Sequence, residues 1–310
     1  GVVYSSFDGS YRHEKQWKTH LEYFQNMGVN WIQVMTFARQ PAVDKPTIIA
    51  RSHLKWPAAF LRAARKRGFR ILLKPHVWSP QFYDGSRRWR GSIKMRNQED
   101  WLRWFAEYEA FIVGEASRAQ AAGVEAFSIG LEYVEATRTQ GRHWQTLIEK
   151  VRAVYHGQLT YSADGNHEAE HLDFWHLLDF IGVNAYFALR APVLPGGYDL
   201  DQHWAGPLTR IQRLQKLYRK PVVFTEVGYP SVKGATQHPW QWPSPTDAPD
   251  LQLQAQAYQS LFRVWSQQSF FAGLFWWKFY ERPEKQIMQI LDYSPRNKPA
   301  EQVIRQWYKQ

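Results

Sequence analysis

Two glutamates stand where apolar, strand-like runs end. In PVVFTEVGYPS (residues 221–231) five residues read as a buried strand, the run ends on Glu226, and Gly228, Tyr229 and Pro230 then stop it. In VEAFSIGLE (residues 124–132) the run ends on Glu132. A carboxylate at the end of a buried strand costs desolvation unless it is paired or used. Taken singly, each could be an ion-pair partner, Glu132 for Arg138 or Arg39. Taken together, they could be a proton donor facing a nucleophile, one carboxyl kept neutral and the other ionised. Glu135, three residues beyond Glu132, is expected on the rim. Glu125 begins its run and is expected to be structural.

Such a pair reacts only if the elements carrying it converge. Eight strand-like runs can be picked out, at residues 1–5, 29–36, 70–76, 124–132, 159–163, 180–186, 222–226 and 273–279. Helical patterns lie between most of them, such as QWKTHLEYFQNMG, the segment 99–122 and the segment 251–267, with Gly28, Gly68 and Gly123 as stops. This alternation predicts a parallel sheet with crossover helices, and eight units favour an α/β fold of one closed (β/α)8 TIM barrel over residues 1–310. In such a barrel the reactive groups sit at the C-terminal strand ends. Glu132 on strand four and Glu226 on strand seven can then meet across the mouth, as hydrolysis of a glycosidic bond requires.

Other strand ends are expected to complete the pocket. The Tyr186 hydroxyl, beside strand seven, could hydrogen-bond Glu226 and keep it ionised. Asn184 shares the inward side of Tyr186. Trp277 could form the floor under a sugar ring, while Trp276 points to the helices. His76 could contact a sugar hydroxyl. Two connections are long, residues 77–98 and 229–249. The first carries Trp78, Trp89 and the basic run Arg87, Arg88 and Arg90; the second carries Trp240, Trp242 and five prolines. Both follow odd-numbered strands and are expected to wall a binding cleft.

Composition narrows the partners. Hydrophobic residues make up 44% of the 310, enough for a large core, and no run is long enough to span a membrane. There is no cysteine, hence no disulfide or thiolate site. No glycine-rich phosphate-binding motif is present, and the 11 histidines show no metal-ligand spacing, so no cofactor and no metal are expected. His167, His171 and His176 read as an exposed helix. The 16 tryptophans suit stacking on sugar rings. The net charge of +11 admits an anionic partner, but the basic residues are dispersed, and nucleic acid is not expected. A polysaccharide or oligosaccharide substrate, a monomer, and an extracellular or periplasmic location without a signal peptide in this chain are the expectations.

The segments FSIGLEYVEA, TEVGYPS followed by HPW, GLFWWKFY and DYSPRNKPAEQVIRQWY, in that order and starting from GVVYSSF, resemble glycoside hydrolase family 113, the β-mannanase-like members of the clan A (β/α)8 hydrolases. The resemblance covers nearly the whole chain. It implies a retaining mechanism with Glu132 as acid/base and Glu226 as nucleophile, and endo-cleavage of β-1,4-linked mannan or glucomannan. Many clan members carry Asn directly before the acid/base glutamate. Leu131 stands there in this chain; family 113 members commonly lack that Asn too, so the resemblance implies that the contact to the sugar's 2-hydroxyl comes from elsewhere. The charge keeps an amino-sugar or anionic cell-wall glycan open as substrate on the same site. A non-catalytic carbohydrate-binding barrel is the other alternative.

Overall fold

The computed structural model describes residues 1–6, 9, 11–50, 56–190, 193–194, 197–282 and 286–309; Phe7 of the opening segment lies outside them. Eight parallel strands form the frame: β1 Val2–Ser5, β2 Trp31–Arg39, β3 Arg70–Trp78, β4 Ala126–Leu131, β5 Gln158–Asp164, β6 Ile181–Asn184, β7 Val222–Val227 and β8 Phe271–Tyr280. Each pairs with its neighbour in sequence order, and β1 pairs with both β8 and β2, so the sheet closes on itself. The fold is the expected (β/α)8 barrel.

Strands buried on both faces read as near-continuous apolar runs, which is why RILLKPHVW and AFSIGL were legible. The helices α1 Glu14–Asn26, α2 Ala58–Lys66, α3 Gln98–Ala121, α4 Val134–Thr139, α5 Gly141–Val154, α6 Ala205–Tyr218, α7 Leu251–Trp265, α8 Gln286–Leu291 and α9 Pro299–Trp307 follow the strands in turn. Their apolar stripes face the barrel, as Phe60, Leu61 and Ala64 do on α2. The Asn97 side chain caps α3 by accepting from the Asp100 amide at 2.9 Å, with Glu99 and Asp100 in the first turn. Gly68 takes φ +86° just past α2, a conformation that a side chain disfavours.

Alternation fixes what points into the barrel. Leu72, Lys74 and His76 share one face of β3, and Lys74 touches Glu226 across the sheet, so this face is the interior. The interior is apolar at one level, where Val3, Met35, Leu72, Ala126 and Phe275 cluster. Toward the C-terminal end it turns polar, with Gln33, Lys74, Asn184 and Thr225 all buried.

Three expectations change. Tryptophan serves the core more than the surface: Trp17, Trp101, Trp104, Trp144, Trp175, Trp204, Trp265 and Trp276 are all buried, half of the 16 in the chain. Trp276 lies flat on Tyr258, with centroids 3.6 Å apart. The exposed helix read around His167, His171 and His176 is instead a pair of short 3-10 turns, Ala169–His171 and Trp175–Leu177. The strands expected to end on Glu132 and Tyr186 stop at Leu131 and Asn184.

Candidate active site

Glu132 follows β4 in a left-handed conformation, φ +53°, unusual for a residue with a side chain. Its amide still donates to the Ser162 carbonyl at 3.1 Å. The next amide, of Tyr133, donates to the Tyr161 hydroxyl oxygen at 2.7 Å, and that hydroxyl donates to the buried Glu168 at 2.7 Å. The sharp turn is thus clamped from the neighbouring strand, and it aims the Glu132 carboxyl into the barrel mouth. There Oε1 accepts from Asn184 Nδ2 at 2.8 Å and Oε2 from Arg90 Nη1 at 3.1 Å. Arg90, not Arg138 or Arg39, is its ion-pair partner; Arg138 pairs with Glu135 at the rim. Glu125 accepts from Arg65 and the Ile71 amide at the far end of β4.

Glu226 sits one residue before the end of β7, in register with Asn184 of β6. Oε1 accepts from Lys74 Nζ at 2.5 Å and Oε2 from the Tyr186 hydroxyl at 2.9 Å. Burial together with the Glu226 charge raises the Tyr186 hydroxyl well above the ordinary phenol range, so it stays protonated and donates. Gly228 is required next: a Cβ there would lie 2.4 Å from the Trp277 carbonyl oxygen.

The two carboxyls occupy different environments. Glu226 accepts from an ammonium and a phenol. Burial raises Glu132 to about 7, with Glu226 and Asp164 adding to the rise while Arg90 and Asn184 oppose it. Glu132 thus keeps a proton near neutral pH while Glu226, across the mouth, accepts from a buried cation, the unlike surroundings that a proton donor and a nucleophile need.

Lys74 was not expected from sequence. It is wholly buried, and its ammonium also lies 3.4 Å from Asn184 Oδ1 and 3.5 Å from the Thr225 carbonyl. Gln33 offers its amide oxygen at 3.1 Å. Burial lowers the Lys74 proton affinity, and Glu226 works against that. Lys74→Met should leave a buried carboxylate without its cation. A loss of about 3–5 kcal/mol in stability follows, and kcat/KM falls because the ammonium no longer orients the Glu226 carboxylate. Thermal melting and kcat/KM on mannan check both; unchanged values would remove Lys74 from this role. The available signal was KPH: a lysine two residues before an inward His shares its face. Asp164, at the end of β5, is the other acidic group missed; burial raises it.

The remaining expected residues divide. His76 reaches the site through Arg90, whose Nη2 lies 3.2 Å from Nδ1. Trp277 is half-buried against the inner cluster, with Lys278 Nζ 4.8 Å from its ring centre and 4.9 Å from that of Trp242. Trp242 in turn packs edge-on to Tyr293, and Tyr293 edge-on to Tyr186, so a line of aromatic rings runs from Glu226 to the loop after β7. The Tyr293 hydroxyl pins that loop by donating to the Pro239 and Gln241 carbonyls. Trp78 stacks on Tyr83, Trp89 and Trp240 are exposed on the two long loops, and none of the three bonds either carboxyl. Among the described residues no acid–histidine cluster could hold a metal ion, and no helix is long and apolar enough to cross a membrane.

Comparison with known proteins bears on the family and the fold. The model of Glycoside Hydrolase Family 113 matches residues 3–298. A complex of a GH113 β-1,4-mannanase superposes with TM-score 0.87 at 26% identity, covering 100% of this chain and 98% of that one. A second GH113 β-1,4-mannanase structure gives TM-score 0.86 at 27% identity, with coverage of 100% and 98%. The GH113 β-mannanase AaManA from Alicyclobacillus acidocaldarius in complex with ManMIm gives TM-score 0.86 at 24% identity, with coverage of 100% and 96%, a likeness of fold. No curated protein matches in sequence.

Proposed function

The chain belongs to Glycoside Hydrolase Family 113, and from that premise we propose that it cleaves β-1,4-linked mannan or glucomannan internally and with retention, Glu226 acting as nucleophile and Glu132 as acid/base. The observation that carries this is the pair of unlike environments: Glu226 between Lys74 and Tyr186, and Glu132 buried and raised to about 7. In the first step the Glu226 carboxylate bonds to the anomeric carbon, the glycosidic bond breaks, and the Glu132 proton passes to the leaving oxygen. In the second, Glu132 takes a proton from water, the water oxygen bonds to the anomeric carbon, and Glu226 is released.

Two cations that enter the site, Lys74 and Arg90, are paired with its own glutamates. That pairing favours a neutral glycan over an anionic one, despite the charge of the whole chain. The test is release of reducing ends from mannan, glucomannan, chitosan and peptidoglycan side by side, with the anomer of the first product read by NMR. Activity confined to chitosan or peptidoglycan would overturn the substrate, and an inverted product the mechanism.

The same assignment sets a pH dependence. Glu132 must be protonated in the free enzyme, and its pKa is raised to about 7. On a substrate with a poor leaving group, kcat/KM should therefore persist to neutral pH and fall about tenfold per unit above it. A fall beginning near pH 4–5, where an ordinary carboxyl titrates, would contradict the role given to Glu132.

A further inference from the structure

Glu132 accepts on both carboxyl oxygens, and the two donors differ in kind. Asn184, at the end of β6, brings a neutral amide to Oε1; Arg90 brings a full charge to Oε2. The other groups around Glu132 are Lys74 on β3, Asp164 at the end of β5, Glu226 on β7 and the adjoining Tyr133. Arg90 alone of these comes from one of the two long loops, on the short turn Arg90–Ser92. It turns away from Arg87 and Arg88, which stay exposed. Its second terminal nitrogen lies 3.2 Å from His76 Nδ1. A guanidinium only donates, so Nδ1 accepts and the imidazole carries its proton on Nε2. Burial and the cations Arg90, Lys74 and Lys278 keep His76 from taking a second proton. His76 is therefore a neutral bracket that fixes the plane of the guanidinium without adding charge.

We propose that Arg90 is the positioning residue that lets Glu132 alternate between proton donor and proton acceptor. The proposal rests on the acid/base reading of Glu132. When Glu132 gives its proton to the leaving oxygen, Glu226 becomes an uncharged ester, and a new carboxylate forms in a buried site next to Asp164. Arg90 stabilises that charge where it appears. In the second step the same carboxylate must be available to take the proton of water. Without the guanidinium, burial and Asp164 favour the protonated form of Glu132, and the second step lacks a base.

The experiment uses a dinitrophenyl β-mannoside of two or more sugars, whose leaving group makes the second step rate-limiting, alongside mannan. Arg90→Gln should move the basic limb of kcat/KM on mannan upward by about one pH unit. On the dinitrophenyl substrate at pH 6 it should lower kcat about tenfold, with recovery toward pH 8 as Glu132 ionises. Arg90→Lys should keep the limb close to that of the parent protein. Arg90→Met repeats the measurement if the glutamine variant melts early. A limb that stays in place, or a uniform loss at every pH, overturns the proposal. Failure of the underlying reading looks different: Glu132→Ala would then hurt both substrates equally. If Glu132→Ala discriminates between them while Arg90→Gln leaves the limb unmoved, only the role of Arg90 is lost.

Discussion

Glu226→Ala is expected to lower kcat on every glycan substrate by roughly 10⁴-fold or more, because no covalent intermediate can form without the attacking carboxylate. The leaving group should not matter, since the lost step is the attack itself. The substitution also strands Lys74, wholly buried with Nζ 2.5 Å from the missing oxygen. An unpaired buried cation costs about 3–5 kcal/mol, so the variant could lose activity by unfolding. Glu226→Gln separates the two causes, since its amide oxygen can still accept from Lys74. Thermal melting close to that of the parent protein, with turnover absent, is the expected result. Residual turnover within about tenfold of the parent would exclude Glu226 as nucleophile.

Glu132→Ala should give a different pattern. On mannan, whose departing sugar needs a proton, kcat/KM should drop about 10²–10⁴-fold. On a dinitrophenyl glycoside bond cleavage needs no proton, so kcat/KM should be largely kept. Here kcat falls, because the second step has lost its base. Azide, a nucleophile that requires no deprotonation, should restore kcat and yield a glycosyl azide of retained configuration. The basic limb on mannan should vanish with the carboxyl. Equal losses on both substrates, or no rescue by azide, would return Glu132 to a structural ion pair with Arg90.

The barrel was legible because its strands are buried on both faces and its first three helices stop at Gly28, Gly68 and Gly123, and both leave local patterns. β3 shows the limit of such patterns. RILLKPHVW reads as a strand, yet nothing local says that its lysine meets Glu226, 152 positions later. Arg90 was hidden differently. Its neighbours Arg87 and Arg88 are solvent-exposed, and a run of three basic residues reads as one surface. The turn at Glu132 carries no glycine or asparagine to announce φ +53°, so the strand was drawn one residue too long. Tryptophan misled by count alone, since a ring stacked on Tyr258 and a ring awaiting a sugar look identical in a sequence.

Asn184 connects the two halves of the chemistry. Its amide nitrogen holds Glu132, while its oxygen accepts from the Thr225 hydroxyl at 2.9 Å and lies 3.4 Å from Lys74, which holds Glu226. The orientation of one amide group is therefore dictated from both sides, and turning it over would break its contact to Glu132 and its contacts to Thr225 and to the lysine that holds Glu226 at once. The consequence is thermodynamic coupling. Substitutions at Glu132 and Glu226 belong to one hydrogen-bonded circuit, and their free energies will not sum as those of independent sites do. A double-mutant cycle run in the parent protein and again in Asn184→Ala would read how much of that coupling passes through a single amide.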